Sequence, residues 1–290
     1  MSLKSKLESG KFVVTCEIGP PKGINTKKIL QEAEHFKNRV DAVNVTDLQS
    51  SVMRLGSLVM CHLLKTNGFE PILQITTRDR NRLALQSDIL SAAALGIDNI
   101  LVLTGDHPTR GDHPQAKPVY DLDSVQLLEV IKTLNSGADM TGNALDGKPD
   151  VFAGAVVNPG ADFLEPEIIK MEKKVKAGAK FFQTQAIFDI DKFSAFLKKV
   201  KHIDAPILAS VILLKSGAMA KYMNDNVAGI NVPAHIIKEI DSVDKNDRPQ
   251  KAIQIAAGLI KELKAVASGV HIMPIGWESK VGRLLDAAGL

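Results

Sequence analysis

The chain has 290 residues, 45% of them hydrophobic and 24% charged, which is ordinary for a globular protein that folds without disulfides or metal. A net charge of +3, one Trp and two Tyr argue against a nucleic-acid partner, and only two cysteines exclude a disulfide-framed secreted module. Because there is no apolar leader at the N-terminus and no apolar run of about 18 residues, we expect a cytoplasmic protein without a membrane span.

Short apolar runs alternate with amphipathic stretches along the whole chain. The apolar runs predict eight strands, over residues 12–18, 42–47, 71–76, 99–106, 151–158, 180–185, 206–214 and 270–275. The amphipathic stretches predict helices over residues 25–36, a segment ending at the Asn67-Gly68 stop signal, 79–95, 124–134, 167–177, 191–199, 218–224, 233–240, 249–267 and 278–287. Each predicted strand is therefore followed by at least one helix.

Strands that are apolar on both faces and alternate with helices are typical of a parallel sheet covered on its outer side. Eight such units favour an α/β fold of the closed (β/α)8 TIM-barrel type over an open sheet. A Rossmann-like sheet is the alternative, but no strand is followed by G-x-G-x-x-G and no P-loop motif occurs. No linker or repeat divides the chain, so we expect residues 1–290 to form a single catalytic barrel domain.

Polar side chains stand at the carboxyl ends of nearly all the predicted strands. They are Glu17, Thr46, Asp47, Gln74, Asp106, Asn158, Gln183, Gln185 and Lys215. Taken singly, such residues are more often turn formers or helix caps. In an α/β barrel, however, these strand ends meet at one mouth, where the active site lies. The barrel prediction therefore gathers these side chains at one site.

Glu17 closes the first apolar run and is followed by Ile, Gly and two Pro. Apolar neighbours remove water from a carboxylate and favour its protonated form, which suits a proton donor near neutral pH. A Glu paired with an Arg or Lys at the barrel rim fits the same pattern equally well. The residues alone leave both interpretations open.

Asp106 ends the fourth predicted strand directly after Gly105, whose missing side chain permits close approach of a flat ligand. Capping of the turn before His107 is the commoner role for such an Asp. The tetrapeptide GDHP recurs at residues 111–114, but no other Cys or His grouping supports metal binding. We therefore predict no metal site.

Lys170, Lys173 and Lys174 have the i, i+3, i+4 spacing that places side chains on one face of a helix. Three ammonium groups near a helix start at Glu167 suit a diphosphate ligand. A solvated charged face is the other interpretation, and the local pattern by itself favours it.

Five segments together resemble the methylenetetrahydrofolate reductase family, in the short prokaryotic form that has only the catalytic barrel. They are TCEIGPPKG at 15–23, NVTD at 44–47, LTGDHP at 103–108, KMEKKVKAGAKFFQTQAIFD at 170–189 and HIMPIGWE at 271–278. The resemblance implies an oxidoreductase of one-carbon metabolism and methionine biosynthesis with FAD as its cofactor. Its reaction would be reduction of 5,10-methylenetetrahydrofolate to 5-methyltetrahydrofolate by hydride transfer from flavin N5.

The resemblance also assigns roles to individual residues. Glu17 matches the general acid, which helps to protonate the folate nitrogen so that the five-membered ring opens. Asp106 and Gln185 match residues that bind the pterin of the substrate. The FAD contacts that it implies are Thr46, Gln74, Thr104, Gly105, Asp106, Tyr120, Asn158, Glu167, Lys170, Lys173 and Lys174.

The implied partners are 5,10-methylenetetrahydrofolate and an electron donor, either NAD(P)H or another protein. Short forms of this kind resemble proteins that work with a zinc-containing companion subunit, and we expect an oligomer. One alternative is a flavin-binding barrel subunit of a larger complex that takes electrons from its partner instead of NAD(P)H. Another is a flavin-free aldolase or lyase with a Schiff-base lysine, for which Lys215 is the only strand-end candidate.

Overall fold

The computed structural model describes residues 1–290 and contains eight parallel strands that close into a barrel. The strands are β1 (Val13–Ile18), β2 (Ala42–Val45), β3 (Pro71–Thr76), β4 (Asn99–Leu103), β5 (Phe152–Val157), β6 (Phe181–Ala186), β7 (Ile207–Ile212) and β8 (Gly269–Met273). Each strand pairs with the next along the chain, and β8 pairs with β1 to close the ring. The predicted (β/α)8 fold class is confirmed.

Helices surround the strands and cover their outward faces. They are α1 (Leu3–Glu8), α2 (Lys27–Glu34), α3 (Ser57–Thr66), α4 (Arg82–Ala94), α5 (Ser124–Ser136), α6 (Leu164–Ala177), α7 (Ile190–Lys199), α8 (Gly217–Asn226), α9 (Ala234–Asp241), α10 (Arg248–Leu263) and α11 (Val281–Ala288). None of these helices combines the length and the apolar character that a membrane crossing requires.

Several element boundaries differ from those predicted by the sequence, and each difference has a local cause. β4 ends at Leu103, three residues early, because the chain turns away at Gly105, where φ is +88°. The helix predicted from residue 79 begins at Arg82, since the Asn81 side chain accepts hydrogen bonds from the first turn of α4. The six-residue α1 was not predicted, because so short a helix shows no clear periodicity.

The amino-terminal end of the barrel is sealed by apolar side chains. Leu3 and Leu7 of α1 pack against inward-facing residues of the strands, among them Ile72 and Phe181. A side chain at Gly154 would lie 2.3 Å from the Phe181 ring, so glycine is needed where this ring fills the barrel. The barrel interior opens at the opposite end, where the strands finish.

Candidate active site

A cavity of about 490 Å³ opens at the carboxyl ends of the strands, a size that falls within the range of small-molecule sites. Most of the residues to which the family resemblance assigns a role contribute to its wall. They are Glu17, Gln74, Thr104, Gly105, Asp106, Asn158, Glu167, Lys170, Lys174 and Gln185. Residues from five different strand ends and from α6 therefore face one volume, as the barrel geometry requires.

Three of the residues to which the family resemblance assigns a role lie outside this wall. Thr46 is buried, and its hydroxyl has no hydrogen-bond partner in the protein. The Tyr120 hydroxyl donates to the backbone carbonyl of Gly105 at 3.4 Å, so it supports the turn that carries Asp106. Lys173 is exposed to solvent, although its spacing predicted that it would share a face with the other two lysines.

Glu17 occupies the last inward-facing position of β1, two residues after Thr15. Its side chain is 14% exposed; Oε1 accepts a hydrogen bond from Gln49 Nε2 at 3.2 Å, and Oε2 lies 3.7 Å from His271 Nε2. The pairing with an Arg or Lys that the sequence also allowed does not occur. The carboxylate instead stands between an amide and an imidazole at the wall of the cavity.

His271 is a buried residue of β8 that the sequence analysis did not single out. Its Nδ1 lies 2.9 Å from the Thr15 hydroxyl, and these two residues are register partners between β8 and β1. Behind them, the Gln183 amide reaches the Thr15 hydroxyl at 3.5 Å and pairs with the Asn44 amide. The feature of the sequence that could have identified His271 is its position two residues before the end of β8. Side chains alternate between the two faces of a strand, so every second residue there points into the barrel.

The segment after β2 has an unusual backbone, with left-handed φ values at Leu48, Ser50 and Ser51. Such conformations are unfavourable for residues other than glycine and need support from the surroundings. Arg78, a residue that is 1% exposed, supplies this support: its guanidinium donates to the Leu48 carbonyl at 3.3 Å and to Ser51 Oγ at 2.8 Å.

Arg78 also joins this segment to the one after β4. It donates to the backbone carbonyl of Asp106 at 3.1 Å, and Ser51 Oγ donates to the same carbonyl at 2.7 Å. The guanidinium is neutralised by a bidentate pair with Asp79. The backbone of Asp106 is thereby fixed, while its exposed carboxylate lines the cavity.

Lys174 is a buried cation in the wall of the cavity, with only 4% of the residue exposed. Burial, reinforced by the nearby charge of Lys170 and opposed by Glu167, lowers the pKa of Lys174 to about 8. Nζ donates to the Val156 carbonyl at 2.5 Å, and an ammonium group has three donors. Lys174 is therefore suited to an anionic group in the cavity.

Gln74 and Asn158 both line the cavity, but their hydrogen bonds with the rest of the protein differ. The Ser57 hydroxyl donates to the backbone carbonyl of Gln74, whose buried side chain lines the cavity. The Asn158 side chain instead accepts from Gly160 N at 3.2 Å and donates to Ala228 O at 3.2 Å. Asn158 therefore holds the end of β5 against the segment that follows α8.

Gln185 lies at an irregular point of the barrel, where the register between β6 and β7 shifts after Gln183. Such bulges change the direction of a side chain and are common beside active sites. Lys215 does not line the cavity; its Nζ lies 5.5 Å from the centre of the Trp277 ring. The flavin-free aldolase or lyase hypothesis thereby loses the lysine on which it depended.

The sequence model described as methylenetetrahydrofolate reductase matches residues 2–289. The chain belongs to this family. Methylenetetrahydrofolate reductase 2 of Schizosaccharomyces pombe is 24% identical over 312 aligned positions, which cover 100% of this chain and 47% of the relative. The 5,10-methylenetetrahydrofolate reductase of Escherichia coli is 26% identical over 172 residues, 58% of this chain and 52% of the relative. The resemblance inferred from the five segments is confirmed.

The chain spans about half the length of these two methylenetetrahydrofolate reductases. Among solved structures, a Clostridium thermocellum protein described as binding two copies of 5-methyl-5,6,7,8-tetrahydrofolic acid superposes with a TM-score of 0.65 at 18% identity. The match covers 99% of this chain and 98% of that one. A 2,3-dimethylmalate lyase matches with a TM-score of 0.53 at 9% identity, over 97% and 83% of the two chains. Identities this low establish a shared barrel fold.

Proposed function

We propose that this protein reduces 5,10-methylenetetrahydrofolate to 5-methyltetrahydrofolate with FAD as its bound cofactor. The observation that carries the proposal is that a family match over residues 2–289 coincides with one strand-end cavity lined by Glu17, Asp106 and Gln185. The folate ligand of the Clostridium thermocellum neighbour supports the same ligand class.

The cavity has the features that a flavin dinucleotide needs. Gly105 offers a surface without a side chain, and Gln74 offers a buried amide. Lys174, with Lys170 beside it, suits the diphosphate, which favours FAD over a flavin without a second phosphate. We assign the FAD contacts to Gln74, Thr104, Gly105, Asp106, Asn158, Glu167, Lys170 and Lys174. Thr46, Tyr120 and Lys173 lie outside the cavity wall and are omitted from this assignment.

FAD, when bound and reduced by the electron donor, would supply the hydride that converts the methylene carbon of the substrate to a methyl group. Glu17 holds a proton at the cavity wall and delivers it to the folate nitrogen, which opens the five-membered ring. Asp106 accepts hydrogen bonds from the pterin, and Gln185 both donates and accepts. The contacts of Glu17 with Gln49 and His271 keep the carboxyl group directed into the cavity.

The test is a single-turnover experiment on the purified full chain. The protein is loaded with FAD, freed of excess flavin by gel filtration, reduced anaerobically with dithionite and mixed with 5,10-methylenetetrahydrofolate. We expect flavin reoxidation together with an equal amount of 5-methyltetrahydrofolate. A colourless protein that does not retain FAD would refute the cofactor assignment, and stable reduced flavin in the presence of substrate would refute the reaction.

The electron donor is identified by a separate reductive titration. Oxidised, FAD-loaded protein is titrated with NADH, with NADPH and with a low-potential one-electron donor, and flavin bleaching is followed. Bleaching by a nicotinamide identifies the direct donor. Bleaching only by the low-potential donor supports a partner protein as the source of electrons.

A further inference from the structure

A chain of buried hydrogen bonds crosses the interior of the barrel behind Glu17. Asn44 on β2 and Gln183 on the opposite strand β6 exchange two amide hydrogen bonds, of 2.9 and 3.1 Å. Gln183 Nε2 also donates to the Thr15 hydroxyl at 3.5 Å, and that hydroxyl lies 2.9 Å from His271 Nδ1. These four residues are each at most 3% exposed, so water does not compete for their donors and acceptors.

The donors and acceptors in this chain determine where the proton of His271 lies. The Thr15 oxygen accepts from Gln183, and His271 Nδ1 is the one acceptor within reach of the buried Thr15 hydroxyl, so the hydroxyl proton is donated to that nitrogen. A neutral imidazole carries a single N–H, and the nitrogen that accepts a hydrogen bond is the one without it. The proton of His271 is therefore on Nε2, the nitrogen that lies 3.7 Å from Glu17 Oε2.

The opposite arrangement is disfavoured at the Glu17 end of the chain. If both amides were turned over, Gln183 would present its oxygen to Thr15, Thr15 would donate to it, and His271 would carry its proton on Nδ1. While Glu17 is ionised, the bare lone pair of Nε2 would then face its carboxylate, and two acceptors in a buried site repel each other. The amide pair and the carboxylate therefore favour the same direction of donation.

We propose that Gln183, oriented by Asn44, is a positioning residue that fixes the Nε2–H tautomer of His271 and so directs an N–H group toward Glu17 Oε2, 3.7 Å away. The consequence for catalysis rests on the proposed function. With the Nε2–H of His271 directed at Oε2 and the Gln49 amide donating to Oε1 at 3.2 Å, the Glu17 carboxyl group is held in one orientation at the cavity wall. Gln183 thereby acts on the general acid through two intervening side chains.

The tautomer is measured by imidazole nitrogen NMR on the full chain, labelled with 15N-histidine and kept near pH 8, where an ordinary imidazole is neutral. The chain has seven histidines, so the His271 signals are assigned by their loss in His271→Asn. A Glu17→Gln background removes the carboxylate and leaves the amide chain as the only determinant. We expect Glu17→Gln to keep Nε2–H, and Glu17→Gln with Gln183→Met to show a mixture with Nδ1–H.

A mixture of the two tautomers in the Glu17→Gln single variant would show that the carboxylate sets the tautomer of His271. An unchanged spectrum in Glu17→Gln with Gln183→Met would show that Gln183 does not influence the tautomer. Either result overturns the proposal. If Gln183→Met does not fold, Thr15 tests the same link in the Glu17→Gln background. Thr15→Ser keeps the hydroxyl and should keep Nε2–H, whereas the nearly isosteric Thr15→Val should give the mixture. Identical spectra for these two variants would also overturn the proposal.

A kinetic measurement tests the catalytic consequence. In the otherwise unchanged protein, Gln183→Met should lower kcat about tenfold while FAD content and KM change little, because a general acid loses its orientation but the substrate contacts persist. Full kcat in a variant with a mixed tautomer would overturn the catalytic consequence. The NMR experiment needs neither FAD nor folate, so failure of the proposed function and failure of the tautomer assignment are distinguished.

Discussion

The Glu17 carboxylate lies 3.7 Å from the imidazole Nε2 of His271, and the two residues belong to the first and last strands of the barrel. β1 and β8 are neighbours only because the sheet closes on itself. In an open sheet with the same strand order these strands would form opposite edges, and Glu17 would have no imidazole beside it. The closure that defines the fold therefore also builds the surroundings of the proposed general acid.

Glu17→Gln tests whether this carboxyl supplies the proton. The amide keeps the size of the side chain but has no acidic proton, so we expect FAD content to be unchanged and methylenetetrahydrofolate reduction to slow by about 10²–10⁴-fold. Stopped-flow reoxidation of the reduced flavin measures the rate. Glu8→Gln, on α1 at the other end of the barrel, is the matched control and should retain full activity. A fully active Glu17→Gln would remove Glu17 from the mechanism.

Lys174 and Lys173 are neighbours on α6 that differ in burial. Loss of a buried charged hydrogen bond to the diphosphate should weaken FAD binding by about 10- to 100-fold in Lys174→Met. Lys173→Met should change the dissociation constant by no more than about twofold, since exposed charges contribute little. Titration of the apoprotein with FAD, followed by flavin fluorescence, compares the two. Equal losses would mean that the exposed face of α6 binds the phosphates.

The lowered pKa of Lys174 predicts that FAD affinity depends on pH. Below about pH 8 the side chain of the free protein is protonated and attracts the diphosphate; above it the amine is neutral, and binding must also take up a proton. Affinity for FAD should therefore fall as the pH rises from about 7 to about 9. Riboflavin, which has no phosphate, should show no such decline. An FAD profile as flat as that of riboflavin would argue against contact between Lys174 and the diphosphate.

Arg78 is expected to contribute strongly to stability because it pairs with Asp79 and satisfies two backbone carbonyls in a buried position. Arg78→Met should lower the free energy of unfolding by about 2–3 kcal/mol, since these acceptors lose their donors. Urea unfolding followed by circular dichroism measures the change. Arg82→Met breaks the exposed pair with Asp121 and should have a much smaller effect. Similar midpoints for the two variants would contradict the supporting role of Arg78.

Leu3 tests whether α1 seals the amino-terminal end of the barrel. Its side chain is fully buried, so Leu3→Ala should lower the free energy of unfolding by about 3 kcal/mol through lost burial and the resulting cavity. Leu83 on α4 is largely exposed, and Leu83→Ala should leave the unfolding midpoint nearly unchanged. If Leu3→Ala is as stable as the unaltered protein, α1 does not contribute to the core.

The sequence by itself determined the class of fold and the general location of the site. Apolar runs alternating with amphipathic stretches predict parallel strands covered by helices, and parallel strands bring their carboxyl ends to one edge. For this reason the strand-end residues Glu17, Gln74 and Gln185, which are far apart in the chain, were expected at one mouth, and all three line the same cavity.

Only the tertiary structure decided which side chains touch. The contact of His271 with Glu17 depends on the register between β1 and β8, and the Asn44–Gln183 pair depends on the diameter of the closed barrel. The rotation of α6 buries Lys174 and leaves its neighbour Lys173 in solvent, although their spacing gave both the same prediction. Local patterns determine the elements and their inward faces, but register, closure and helix rotation arise from packing between residues distant in the chain.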